Sequence, residues 1–237
     1  ILVEEQETNI SVFSEDFSQS PWGKTGVSTS LNAGFVTETT AGGNHRCAKR
    51  FNVTPSNFYN ASFRLKQESA DISIVEVLII SGSNFLTTRF DLTTGASISD
   101  GDVGGTILTQ KTNITTTVDA EGFYVIGISF FLSTNNNFNA GFGFIKNGNN
   151  SYQGNGTSRV NVFSSQVVEA RFLSSYIPTG NSAVTRNADV ITATPPNGTV
   201  KITTTFADDT TEILTSIPAT FTLPIGSIRQ VVMQSSL

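Results

Sequence analysis

Apolar and polar residues alternate with a period of two through much of the chain, in segments 75–80 (VEVLII), 123–131 (FYVIGISFF), 138–145 (FNAGFGFI) and 159–163 (RVNVF). Side chains point to opposite faces along a strand, so this period predicts strands buried on one side. In 138–145, Phe138, Ala140, Phe142 and Phe144 share a face, and the other face carries mainly Asn and Gly. Turn residues punctuate the runs: Ser81-Gly82-Ser83-Asn84 follows the first, and a polar connection over 146–156 carries Asn147-Gly148 and Asn155-Gly156. No stretch sustains an apolar 3.6-residue period between caps. The nearest, 166–172 (QVVEARF), is short enough to be a strand. Strands spaced closely with no helices between them predict an all-β, antiparallel sandwich or barrel.

A boundary falls where Pro195-Pro196-Asn197-Gly198 interrupts any element. The sequence therefore predicts a connecting segment over 1–10, a β-sandwich over 11–191 and a small C-terminal β unit over 192–237. The last has four short strands, near 199–206, 211–214, 219–223 and 227–233. So small a unit has little core of its own and is expected to pack on a neighbour. The chain begins at Ile1 rather than Met, and is expected to be a fragment or a processed product.

Composition narrows the function classes. With 237 residues, 38% apolar and 18 Phe, the chain can bury a large core without staples. A net charge of −5 offers no basic stripe for a phosphate backbone, so nucleic acid is not an expected partner and a neutral polymer or a protein is. Cys47 is the sole cysteine, which rules out an intrachain disulfide. No apolar run approaches the roughly 20 residues that span a bilayer, and the N-terminus lacks the basic flank and apolar stretch of a signal peptide. Membrane insertion is not expected.

Three stretches carry a family resemblance. Residues 13–24 (FSEDFSQSPWGK) look like the opening of jelly-roll modules in bacteriophage tail and head-fibre proteins. Residues 89–95 (RFDLTTG) and 120–124 (AEGFY) are similar to an internal strand-and-turn pair, with Phe123 where the family often has Trp and Val125 where an Arg often follows the Tyr. Residues 174–180 (SSYIPTG) and 183–190 (AVTRNADV) resemble the closing signature. The resemblance implies a jelly-roll-type sandwich, concanavalin-like or carbohydrate-binding-module-like, in a virion surface protein without a family-wide catalytic site. It also implies a place on the extracellular phage particle, other virion proteins and a host-cell surface glycan as partners, and a homo-oligomer, with a trimer favoured. The alternatives are a carbohydrate-binding module of a larger secreted polysaccharide-degrading enzyme and a structural virion cement with no ligand.

The residues offer few routes to catalysis. His45 is the only histidine and Cys47 lies two positions away, with no evident orienting third group; a zinc site would need more ligands. No pair among Asp71, Glu76, Asp100, Asp102, Asp119 and Glu121 stands out as acid and base. The chain is read as non-enzymatic and without a cofactor, save that Asp100 and Asp102, in an expected turn over 100–105, are candidate calcium ligands. For glycan stacking the exposed candidates are Tyr152 in the 146–156 connection, and Tyr59 with Asn57 and Asn60; Trp22 is read as a core anchor. Arg186 and Asp189 could form a structural ion pair or contact a ligand. Sequons at Asn9, Asn52, Asn60, Asn113, Asn149, Asn155 and Asn197 are read either as glycosylation sites or as chance in an Asn-, Ser- and Thr-rich chain.

Overall fold

The computed structural model describes residues 2–4, 6–30, 34–103, 107–115, 118–170, 173–206, 209–224 and 226–235. Among them there is no helix, and so none long and apolar enough to cross a membrane. The chain forms two compact units, one of residues 8–184 and one of residues 1–7 with 185–237.

The larger unit is an antiparallel β-sandwich, as the alternation predicts. Its strands in chain order are β1 (Gly23–Thr25), β2 (Val27–Thr29), β3 (Phe35–Glu38), β4 (Arg46–Asn52), β5 (Asn57–Gln67) and β6 (Ile74–Ser81). They continue as β7 (Asn84–Asp91), β8 (Ser97–Val103), β9 (Leu108–Thr115), β10 (Tyr124–Leu132), β11 (Asn137–Ile145) and β12 (Arg159–Val168). The first sheet has the order β8-β7-β6-β11-β4-β1 and the second β9-β10-β5-β12-β3-β2. The chain passes repeatedly from one sheet to the other, which brings residues remote in sequence side by side.

The alternation read from the sequence fills the space between the sheets. Phe138, Phe142 and Phe144 of β11 meet Phe63 and Leu65 of β5 and Phe130 of β10, all buried; each such ring stabilises the fold by about 1.5–3 kcal/mol. Trp22 anchors this core as expected, 4.6 Å from the Phe17 ring and edge-on to Phe63. The turns follow their residues. Asn147 and Gly148 both have positive φ, and Lys146 and Asn149 exchange backbone hydrogen bonds of 3.0 Å, the geometry of a tight hairpin.

The motifs that carry the resemblance touch one another. Tyr176 shares a hydrogen bond with Ser14 (2.7 Å), and the Phe13 amide donates to the Gly180 carbonyl (2.6 Å), so the 174–180 stretch latches onto the opening stretch. Gly95 lies flat on Tyr124, where an added Cβ would come within 2.4 Å of the ring. Buried Asn9 completes the latch: it donates to the Ile177 carbonyl (2.7 Å) and accepts from Ser11 and Val167. Asn9 and Asn60 are both fully buried, so these two sequons cannot carry a glycan on the folded protein.

The smaller unit departs from the predicted boundaries. The division comes after Val184 rather than near 191, and residues 1–7 belong to this unit instead of forming a separate connection. Its four-stranded sheet is Leu2–Val3, Gly226–Ser235, Thr199–Phe206 and Thr211–Leu214. The fourth strand thus comes from the N-terminus. The segment predicted for that role supplies Phe221–Thr222, which pairs with Thr192–Ala193. Ile202, Phe221, Leu223 and Ile228 form its small core. Arg186 pairs with Glu4 and lies 3.9 Å from both Glu7 and Asp189, a structural ion-pair network within this unit.

Candidate functional site

The outward face of the first sheet carries a trough whose shape follows from strand register. Pairing places Ala48, Gly141, Leu78, Thr87 and Gly101 side by side across β4, β11, β6, β7 and β8. Small or short side chains at four of these five positions make a floor that crosses the strands, spanning about 19 Å at the usual strand spacing. The flanking row on one side is Arg50, Asn139, Ile80 and Phe85; on the other it is Arg46, Gly143, Glu76 and Arg89. Part of it is a groove of about 310 Å³ lined by residues that include Arg46, Glu76, Leu78, Ile80, Phe85 and Thr87.

The floor is built tightly. An added Cβ at Gly141 would lie 2.2 Å from the Cys47 carbonyl oxygen and 2.5 Å from Ala48 Cα, both backbone. Phe85 stands on one wall at 38% exposure, and no other ring lies against it among the described residues. Across the floor, Arg89 Nε is 3.2 Å from Glu76 Oε1, and the same guanidinium donates to the Gly148 carbonyl (3.0 Å). An elongated, open groove with an aromatic wall, an aliphatic floor and a few polar groups suits a ligand with apolar faces and hydroxyl edges.

Compared with known proteins, this chain matches no family model and no curated sequence.

Two further hollows, of about 320 and 420 Å³, flank Phe163 on the outward face of the second sheet. Their polar groups are already engaged. Gln166 bonds to Ser174, Ser175 and Ile177; Tyr176 bonds to Ser14 and Glu15; Asp16 takes hydrogen bonds from Ser18 and Gln19. The trough is the stronger candidate because Arg46 and Arg50 beside its floor make no ion pair among the described residues.

The residues singled out in the sequence lie elsewhere. Tyr59 is not exposed: it points between the sheets at 1% exposure against Phe130 and Phe138, and its hydroxyl donates to the Thr54 carbonyl (2.6 Å) with Glu169 Oε2 3.1 Å away. Burial, with the Glu169 carboxylate beside it, pushes its pKa up to about 12. Asn60, next along β5, is fully buried and cannot meet a ligand, while Asn57 is half-buried at the start of that strand. Tyr152 is no open platform either, because Ser151–Gln153 pairs with Gly42–Asn44 and lays its ring on His45 at 4.3 Å. Burial, then the Glu38 carboxylate, push its pKa well above the ordinary tyrosine value.

Asp100 lies in β8 and not in a turn; that strand runs through Val103, and residues 104–106 of the expected calcium loop lie outside the described residues. Asp100 Oδ1 is taken up by Lys111 Nζ (2.8 Å), Thr88 Oγ1 (2.8 Å) and Asn113 Nδ2 (3.3 Å). These bonds outweigh burial and hold its carboxyl below the usual range. The backbone of Asp102 continues β8, and its side chain lies outside the described residues. No group of three His, Cys, Asp or Glu side chains able to hold a metal ion occurs among the described residues. Cys47 faces the core and burial pushes its thiol up to about 12, which keeps it protonated and non-nucleophilic at neutral pH.

Sequence reasoning missed Phe85, Thr87, Arg46 and Arg50. A signal was available in the Asn- and Gly-bearing face of β11, but the trough appears only once five strands are set in register.

Proposed function

We propose that this chain is a non-enzymatic surface protein of a bacteriophage particle, a fibre, tail or head-decoration subunit, that attaches to a host-surface glycan through the trough. The trough is the observation that carries attachment: Phe85 offers a ring for stacking, the short side chains of the floor leave room for a chain to lie across it, and Arg46, Arg50 and the Arg89–Glu76 pair flank it. The virion assignment rests on the three motif stretches. A trimer, the state expected of a fibre, would present three troughs and raise avidity without new contacts.

The test is binding of the full chain to a panel of bacterial envelope glycans and to cells. Phe85→Ala is expected to lower affinity about tenfold or more, because stacking on an aromatic wall is lost, while leaving the melting temperature unchanged. Absence of binding to every glycan and every cell type tested would sink attachment and favour a purely structural cement. Antibody labelling of phage particles tests the location; finding the chain joined to a catalytic domain instead would establish the carbohydrate-binding-module alternative.

A further inference from the structure

We propose that the trough takes a carboxylate-bearing glycan chain, whose acid groups are held by Arg46 and Arg50. This rests on the trough being the glycan site.

Arg46 and Arg50 both project outward from β4, on either side of the floor residue Ala48, and their Cα atoms are separated by about 13 Å at the usual strand rise. Neither makes an ion pair among the described residues. Every other described arginine does: Arg64 with Asp119 and Glu121, Arg89 with Glu76, Arg159 with Glu68, Arg186 with Glu4, and Arg229 with Asp209. In a chain of net charge −5, the two described guanidinium groups left without a carboxylate thus lie on the same strand, on either side of the trough floor, and Arg46 also lines the groove.

Among the described residues, the charged groups in the floor and its two flanking rows are Arg46, Arg50, Arg89 and Glu76, three cations against one carboxylate. Glu76 is engaged by Arg89, so its charge is offset locally and does not repel an anion at the other end. Gly143, between Arg46 and Glu76, adds no side chain and leaves the space beside Arg46 open. Asp100, on the neighbouring β8, pairs with Thr88 on the inward side and is bound to Lys111, so it does not face the trough. A guanidinium is the cation that fits a carboxylate as a two-pronged donor, and two of them at a fixed spacing would select an acid-bearing chain over a neutral one of the same shape.

The experiment uses the full chain against immobilised polygalacturonate, hyaluronan and polysialic acid, each beside its methyl-esterified, uncharged form. At least one acid polymer is expected to bind about tenfold tighter than its ester, the scale of a charge-assisted hydrogen bond, with the preference shrinking as salt rises. The double variant Arg46→Gln, Arg50→Gln is expected to bind the acid no better than the ester, and Arg46→Lys, Arg50→Lys to recover part of the preference. Equal binding of acid and ester, both lost in Phe85→Ala, would overturn the acidic specificity while the glycan trough stands. Failure to bind any acid or ester form would overturn both.

Discussion

On the outward face of the second sheet, the Arg64 guanidinium lies between the rings of Phe123 and Phe163, at 4.6 and 4.2 Å, and is bonded to Asp119 (2.6 Å) and Glu121 (2.7 Å). Arg159 nearby covers Phe35 and pairs with Glu68. On the outward face of the first sheet, Arg46 and Arg50 have no carboxylate, and Phe85 no cation, among the described residues. The same residue types are thus spent on the protein itself on one face, and on the other Arg89 alone is paired while Arg46, Arg50 and Phe85 are left available. A bulge in β12 between Val162 and Ser164 contributes to this, because it sets Phe163 outward where Arg64 can stack on it. Composition cannot separate the two faces; only the pairing does.

The sharpest way to test that the trough floor is a built feature is to fill it. Gly141→Ala drives a Cβ into the backbone of β4, which cannot rotate away, and is expected to cost about 3 kcal/mol in denaturant unfolding. Gly143→Ala meets its neighbours at 3.3–3.4 Å and should cost less than about 1 kcal/mol. Similar losses at the two glycines would mean that the floor is not tightly set.

A second measurement compares the faces directly. Arg64→Ala removes two ring contacts and two partly exposed ion pairs, and is expected to lose about 2 kcal/mol. Arg46→Ala, with no ion pair to lose among the described residues, should stay within about 0.5 kcal/mol of the parent. Equal costs would contradict the division between a self-satisfied face and an available one.

How far each face could be read from sequence follows from the same difference. The period-two pattern placed Phe138, Phe142 and Phe144 inside, and Asn147-Gly148 in a turn, because both are decided by a few adjacent residues. The Asn- and Gly-rich side of β11 was legible as a face but not as a floor, since its meaning depends on β4, β6, β7 and β8 lying beside it. Tyr59 and Tyr152 were misread for a related reason. Tyr59 has the inward parity of β5, and Tyr152 is covered by His45, more than 100 residues earlier in the chain. The N-terminal strand of the small unit pairs with the far end of the chain, so no local pattern announced it.

A third cation calibrates the comparison from inside the sandwich. Lys49 faces inward on β4 at 6% exposure, donates from Nζ to the Val12 carbonyl (2.8 Å) and lies over the rings of Trp22 and Phe51. Burial pushes its pKa from 10.5 down to about 8. The unfolded chain therefore binds more protons between these values, so stability rises with pH across that window, and the full penalty is present below about pH 8. A shift of this size corresponds to about 3 kcal/mol. The raised Cys47 thiol opposes the rise above about pH 9, where an unfolded thiol ionises, and the raised tyrosines above about pH 10, which leaves pH 8–9 as the interval to measure. Lys49→Met keeps the bulk and removes the charge, at the cost of the Val12 hydrogen bond. It is expected to gain about 1–2 kcal/mol at pH 7 and to lose the upward slope between pH 8 and 9. A parent protein with a flat profile there would mean that the carbonyl and the two rings solvate the ammonium as well as water does, and that a cation between the sheets costs no more than one in the trough.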